Sequence, residues 1–432
     1  MIKFLTIKEK IIMTSFLSSV VILLALVVFI SFFNEKITKL TYEISLMLIP
    51  IVIVAIITIL GIAFNGYDQV INFIENLNIF NIEAYLIDGV LCFMLFAGSC
   101  HTKLLDFKKH IKPITLLAIC ATLLCSIFYG ALFYLANIAL GLGMSIPMCL
   151  MFGSIVAPTD PIAATSILKK FNLPKNISFL MEAESLFNDG VGVALFVCFS
   201  GMVATESSSR IVPLMVKELL GAIVVGLLVT IICFAIFKNT SSKVQQIFAS
   251  LLAVSTSYLA CEHFGFSGAI ASVVCGIMFS AFINYEEYKD NKMDLDEFNT
   301  FWEVLDSLFN SVLYILLGLS FVHILQMEHV LVISIACVLI NLICCSSSVG
   351  IAAVLNGKLP DNYDKLNFTK LLTWGGLKGG LSVALAMSTH EFLPENIYYI
   401  ILGGTYAIVF FTTVVQGLTM PNIYNKIKNS IK

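Results

Sequence analysis

Between Met181 and Gly190 the chain carries three carboxylates, a hydroxyl and an amide: Glu182, Glu184, Ser185, Asn188 and Asp189. At helical spacing Ser185 and Asp189 stand four apart, as do Glu184 and Asn188, so these groups share one polar face. The stretch that follows is almost entirely apolar. Carboxylates on an apolar membrane helix are costly, and they face a water-filled path or a partner. Glu182 and Glu184 also fit a helix start at the interface, where acids favour the positive end of the dipole. Asp189 lies about two turns further along and does not fit that reading.

Two further clusters interrupt apolar segments. In Ala157-Pro158-Thr159-Asp160-Pro161, two prolines cannot continue one helix without freeing backbone carbonyls. Freed carbonyls at membrane depth are tolerated only where they meet protein or line a cavity. Thr159 or Asp160 is suited to cap a second half-helix, with Pro161 at its first position. A simple kink with a capping aspartate is the alternative. In Gly375-Gly376-Leu377-Lys378-Gly379-Gly380, a lysine sits about midway along an apolar segment. A buried ammonium requires a partner, and the glycines let another helix come close, so Glu184 is a candidate. A lysine reaching along its helix to the interface is the alternative.

The chemistry these residues offer is ion exchange at a carboxylate. Protonated, the group is neutral; ionised, it binds a cation; it cannot do both. Sodium is a hard cation that takes oxygen ligands, and carboxylates, hydroxyls and freed carbonyls supply them. Nothing in the sequence calls for a cofactor, an enzymatic activity or a resident metal.

The elements that position these groups are membrane helices. Of 432 residues 59% are hydrophobic and only 12% charged, about half the charge of a soluble domain. We read an all-α polytopic membrane protein with about 13 transmembrane helices: 11–33, 44–64, 84–100, 112–136, 145–168, 177–201, 211–237, 243–262, 267–283, 302–323, 329–355, 368–388 and 396–420. Eighteen of the 25 lysines and arginines fall in loops on the C-terminal side and four on the other, Arg210 being the only arginine. The positive-inside rule then puts the C-terminus in the cytoplasm and the N-terminus outside, in a multi-pass protein of the cell membrane. An odd count allows two inverted repeats joined by segment 7. Segment 5 then corresponds to segment 12, and these are the two broken ones. Broken helices crossing at the midplane are where such transporters place their site.

Other signals are weak. The 12 cysteines lie mostly in apolar runs without a CxxC and read as small apolar filler. The six histidines are scattered, mostly at segment ends. Gly190-Val191-Gly192 looks like part of a dinucleotide loop but has no strand before it. A net charge of -3 carries no nucleic-acid signal.

Together these motifs resemble the monovalent cation:proton antiporters, specifically the NhaP-like sodium/proton branch. The resemblance rests on Thr159-Asp160 in the segment 5 break and on Glu184 to Gly190. Phe266-Ser267-Gly268, Phe301-Trp302-Glu303 with Asn310 and Gly318, and Trp374 to Leu377 also fit. It implies an NhaA-like antiporter fold, with Asp189 as the carboxylate that takes cation or proton. Asp160, the Thr159 backbone and Ser185 would complete a sodium site at Asp189 and Asp160, steadied by Asn188. Glu184 and Lys378 would form a structural ion pair, lysine standing where the family has arginine. Some relatives carry a glutamate in segment 3, where Leu95-Phe96-Ala97-Gly98 has none.

By the same resemblance, residues 112–201 and 329–420 would be a moving core. Residues 11–100 and 243–323 would be a scaffold that dimerises with a second copy, and 211–237 would be the linker. The partners implied are sodium, protons, the lipid bilayer and a second copy. An amide rather than an acid at Asn188 points to electroneutral exchange. Potassium/proton exchange is the runner-up, and a channel or sensor on the same scaffold is the alternative outside transport by exchange.

Overall fold

The computed structural model describes residues 7–63, 90–100, 111–160, 175–205, 211–290, 295–319, 330–357, 359 and 363–431. Pro161 and the second half of segment 5, Arg210, and the ends of segments 3 and 10 lie outside the described residues. Among the described residues there is no strand. In chain order the helices are α1 (Ile7–Phe33), α2 (Tyr42–Ala63), α3 (Leu91–Cys100), α4 (Thr122–Leu140) and α5 (Ile146–Val156). Then come α6 (Lys175–Thr205), α7 (Ile211–Asn239), α8 (Lys243–His263), α9 (Gly268–Asp290) and α10 (Asp296–Leu319). The last are α11 (Val330–Asn356), α12 (Lys365–Gly375), α13 (Gly380–Ser388), α14 (Glu395–Phe410) and α15 (Gly417–Ile431). Each of the thirteen apolar segments contains a described helix, and segment 12 is divided between α12 and α13.

Among the described residues, eight helical stretches are long and apolar enough to cross a bilayer. Their outward faces are greasy at helical spacing: Leu331, Ile335, Leu339 and Ile343 on α11 are all exposed. So much contiguous apolar surface is what a lipid-facing protein presents. All twelve cysteines are free thiols, buried or half-buried.

Local chemistry sets the helix ends. Ser145 caps α5 by accepting from Met148 N, and Asp364 caps α12 by accepting from Asn367 N at 2.7 Å. The α4–α5 turn needs Gly141 at φ 65°. Asn137 then closes that turn, donating to Met144 O at 2.9 Å and accepting from Met144 N at 2.8 Å. A π-helical turn, Phe411–Gln416, interrupts segment 13, and such turns re-aim side chains, often at functional sites.

The helices pack in two groups. In one, α4 lies against α5 and α11, α5 against α6, α11 against α12 and α14, and α13 against α14. Its centre is an aromatic knot of Tyr129, Phe133 and Phe152. In the other, α3 lies against α9 and α10, α2 against α10, and α7, α8 and α9 against one another. Trp302, fully buried, anchors that group beside Phe96 and donates to Ser250 Oγ at 3.1 Å. Helix α10 touches α13, and α6 touches α7 and α9, so the groups meet around α6, α10 and α13.

Small residues allow the closest approaches. A Cβ at Gly153 on α5 would lie 2.1 Å from the Ser126 carbonyl oxygen on α4. That neighbour is backbone and cannot swing aside. Gly153→Ala should therefore destabilise the protein by about 1–3 kcal/mol through overpacking. Gly201→Ala on α6, with nothing within 4 Å, should be neutral or slightly stabilising. Thermal unfolding of both variants in detergent compares them directly; equal midpoints would remove the α4–α5 contact from the account.

Candidate ion-binding site

The site begins with two backbone interruptions. Helix α5 ends at Val156. Beyond it, Pro158 and Pro161 lack the N–H groups that the Ser154 and Ala157 carbonyls would accept in a continuous helix. Helix α12 ends at Gly375, and Gly376 turns the chain (φ −75°, ψ 64°), so that Leu377 N donates to Gly375 O at 2.8 Å. This is an inverse γ-turn. The chain runs on to Gly379, and α13 restarts at Gly380. The two interruptions are joined directly: Asp160 N donates to Leu377 O at 2.7 Å. A Cβ at Gly379 would lie 2.6 Å from Asp160 Oδ2, so glycine there is what admits the carboxylate.

Helix α6 clasps the segment 5 interruption. Asn188 accepts from Thr159 N at 3.2 Å and donates to Thr159 Oγ1 at 2.8 Å and to Glu184 Oε1 at 2.7 Å. That uses both amide hydrogens and the carbonyl oxygen, a set no carboxylate could supply. The Ser185 hydroxyl donates to the Thr159 carbonyl. Gly192 explains the fragment that looked like part of a nucleotide loop: a Cβ there would lie 2.2 Å from Pro158 Cγ. Its role is close approach of α6 to the break.

Lys378 is fully buried. Its ammonium donates to Ala157 O at 2.7 Å. Its backbone N donates to Thr412 Oγ1 at 3.1 Å, and its carbonyl accepts from Thr413 Oγ1 at 3.2 Å. The π-helical turn in segment 13 is what brings both threonines to the break. The ion pair expected between Glu184 and Lys378 is not formed: among the described residues no carboxylate lies within 4 Å of Lys378, and Glu184 instead accepts from Asn188. The reason is the carbonyl left open where α5 ends. Ala157 O needs a donor and lies within reach, while Glu184 is already held one turn from its own amide. Lys378 still acts on Glu184 and Asp189 through space.

Two carboxylates remain. Asp160 Oδ2 accepts from the Tyr314 hydroxyl of α10. Asp189 is half-buried on the same α6 face as Ser185, and among the described residues no donor hydrogen-bonds to it. It lies in the field of Asp160, Glu184 and Asp306. The structure thus brings together Thr159, Asp160, Ser185, Asn188 and Asp189, with Glu184 and Lys378 behind them. Sequence reasoning missed Tyr314, Asp306, Thr412 and Thr413. A signal existed for the first two: Asp306, Asn310 and Tyr314 recur every four residues, a polar row on an apolar helix.

This arrangement gives oxygen ligands, one carboxylate without a fixed donor among the described residues, and two helix interruptions that meet in the protein interior. The sequence matches the family described as "Sodium/hydrogen exchanger, transmembrane" over residues 49–426. It is similar to the Na(+)/H(+) antiporter NhaP of Pseudomonas aeruginosa, 27% identical over 94% of this chain and 95% of that protein. It is also similar to the Na(+)/H(+) antiporter NhaH of Halobacillus dabanensis, 30% identical over 73% of this chain and 76% of that protein. Its fold is similar to that of the sodium proton antiporter MjNhaP1 from Methanocaldococcus jannaschii, with a TM-score of 0.75 and 19% identity, covering 96% and 99% of the two chains.

The altered partnership of Lys378 has a measurable consequence. Lys378→Met leaves the Ala157 carbonyl buried without a donor and should cost about 1–3 kcal/mol. Glu184→Gln keeps an oxygen for Asn188 and should cost less. Exchanging the two charges should not recover stability, because a glutamate at 378 cannot donate to a carbonyl. Thermal unfolding in detergent reads all three; recovery of the wild-type midpoint by the exchange would reinstate a direct ion pair.

Proposed function

The chain belongs to the sodium/hydrogen exchanger family, and we propose that it exchanges sodium for protons across the cell membrane at a single site centred on Asp189. The observation that carries this reading is the contrast between the two carboxylates at the crossing. Asp160 is held by Tyr314 and lies against Gly379, whereas Asp189 has no donor among the described residues. A carboxylate without fixed donors can accept either a proton or a cation, and each occupant excludes the other. Asp160, the Ser185 hydroxyl and the oxygens of Thr159 supply further hard ligands for sodium. No covalent bond is made or broken, so the protein is a carrier.

Transport follows from which states can cross. With sodium or a proton on Asp189 the site has the same charge, and the loaded protein crosses. With Asp189 empty the extra buried charge holds the protein on one side. Movement is elevator-like: the group containing α4–α6 and α11–α15 slides against the group containing α2, α3 and α7–α10. The Tyr314–Asp160 bond joins α10 to the break and is remade as the groups shift. Two copies associate through the second group as a homodimer. The lysine-rich loops, with eighteen of the 25 basic residues, face the cytoplasm together with the C-terminus.

The exchange is electroneutral by charge counting. Asp160 and Lys378 are engaged by Tyr314 and Ala157, and neither changes its proton in the cycle. One titrating carboxylate then returns one proton per sodium. Reconstituted into liposomes, the wild type should move protons in response to sodium gradients, and Asp189→Asn should lower the rate by at least about 10²-fold while remaining folded. Titrating lithium, sodium and potassium in the same vesicles ranks the cations. The reversal point should depend on the sodium and proton ratios alone. A reversal point that shifts with an imposed membrane potential would show that a second group titrates.

A further inference from the structure

At one edge of the molecule lysines gather. Lys112 donates to Asn356 O at the end of α11 at 3.3 Å, Lys365 opens α12, and Lys426 and Lys428 lie near the end of α15. There α11, α12 and α15 enclose a cavity of about 800 Å³, apart from the ion site. Its wall on α12 is Asn367, Lys370, Thr373 and Trp374, spaced to share one helix face. On α15 it is Ile423, Lys426 and Ile427, and on α11 Leu342 and Ile343 with two serines. Among the described residues no carboxylate lines it.

Three observations say what fits. Lys370 and Lys426 both reach the cavity, and neither has a carboxylate partner among the described residues. The Thr373 hydroxyl is buried and has no hydrogen-bond partner among them, although it lines the cavity. A threonine in a helix ordinarily bonds the carbonyl one turn back, so this donor is open to an acceptor arriving in the cavity. Ile343, finally, is exposed and belongs to the apolar stripe of α11, so the cavity is continuous with the lipid-facing surface. Two cations, a hydroxyl and aliphatic side chains lining one cavity describe an amphiphile with an anionic head.

We propose that this cavity binds an anionic phospholipid, its phosphate between Lys370 and Lys426 and an acyl chain along Leu342, Ile343 and Ile423. Basic pockets between helices at a membrane edge are suited to such headgroups. A free phosphate would share the polar contacts but leave the apolar wall unused. The location gives the site a consequence. Trp374 lines the cavity and ties α12 to α15 by donating to Thr419 Oγ1 at 2.9 Å. The next residue, Gly375, ends the half-helix that leads to Lys378. A lipid bound between α12 and α15 therefore braces one arm of the crossing.

The test needs no transport assay, so it stands or falls apart from the exchange reading. The chain has only two tryptophans, and Trp302 is fully buried, so lipid-dependent quenching reports on Trp374. In detergent micelles, phosphatidylglycerol with brominated chains should quench at about a tenfold lower mole fraction than brominated phosphatidylcholine. Lys370→Gln together with Lys426→Gln should abolish the preference, and replacing both by arginine should retain it. Lys428→Gln, outside the cavity, should leave it unchanged. Equal quenching by the two lipids in the wild type would overturn the proposal, and that comparison needs no variant to fold. So would a preference that survives in a folded double-glutamine variant, or displacement of the lipid by inorganic phosphate at equal concentration.

Discussion

The structure depends on satisfying backbone groups that two interrupted helices leave open inside a membrane. In lipid an unsatisfied carbonyl or N–H costs several kcal/mol, so interruptions persist only where protein supplies the partners. Here each does so partly for the other, through Asp160 N to Leu377 O. Lys378 covers Ala157 O, Asn188 and Ser185 cover Thr159, and Thr412 and Thr413 cover the backbone of Lys378. The glycines at 192 and 379 follow from the same requirement, since these contacts form only if backbones approach within a methyl group's breadth.

That constraint also divides the labour among the charged groups. A lysine whose proton bonds a carbonyl, and an aspartate that accepts from a tyrosine, are parts of the scaffold of the site. Their charges are fixed in place and set the field at Asp189. Asp189, left without a donor among the described residues, is the carboxylate we propose changes occupant. On that proposal stability and exchange draw on different members of one cluster, and the cluster lies where the two packing groups meet.

Much of this was legible in the sequence. The polar face of α6 showed in its four-residue spacing, and the prolines and glycines marked both interruptions. Thr159, Asp160, Ser185, Asn188 and Asp189 converge as their types and spacing suggest. What sequence could not supply was pairing. Opposite charges nominate each other, so Glu184 and Lys378 looked like partners; the nearer acceptor was a carbonyl, and carbonyls are invisible in a residue list. Tyr314 was hidden because an aromatic residue in an apolar helix usually only packs. Thr412 and Thr413 were hidden because helical threonines usually bond only their own helix; Thr412 donates to Val409 O and still accepts from Lys378 N, and Thr413 donates to Lys378 O. The cavity between α11, α12 and α15 joins residues 342 to 427 and has no local signature at all.

The central claim is that sodium and a proton compete for one carboxylate. It is tested most directly by calorimetric titration of sodium into the detergent-solubilised protein, in buffers of different ionisation enthalpy, across a series of pH values. The buffer dependence counts the protons released for each cation bound. The account predicts that apparent sodium affinity falls tenfold for each pH unit once Asp189 is protonated, with release approaching one proton per sodium there. Sodium binding that releases no proton at any pH, with an affinity independent of pH, would contradict it.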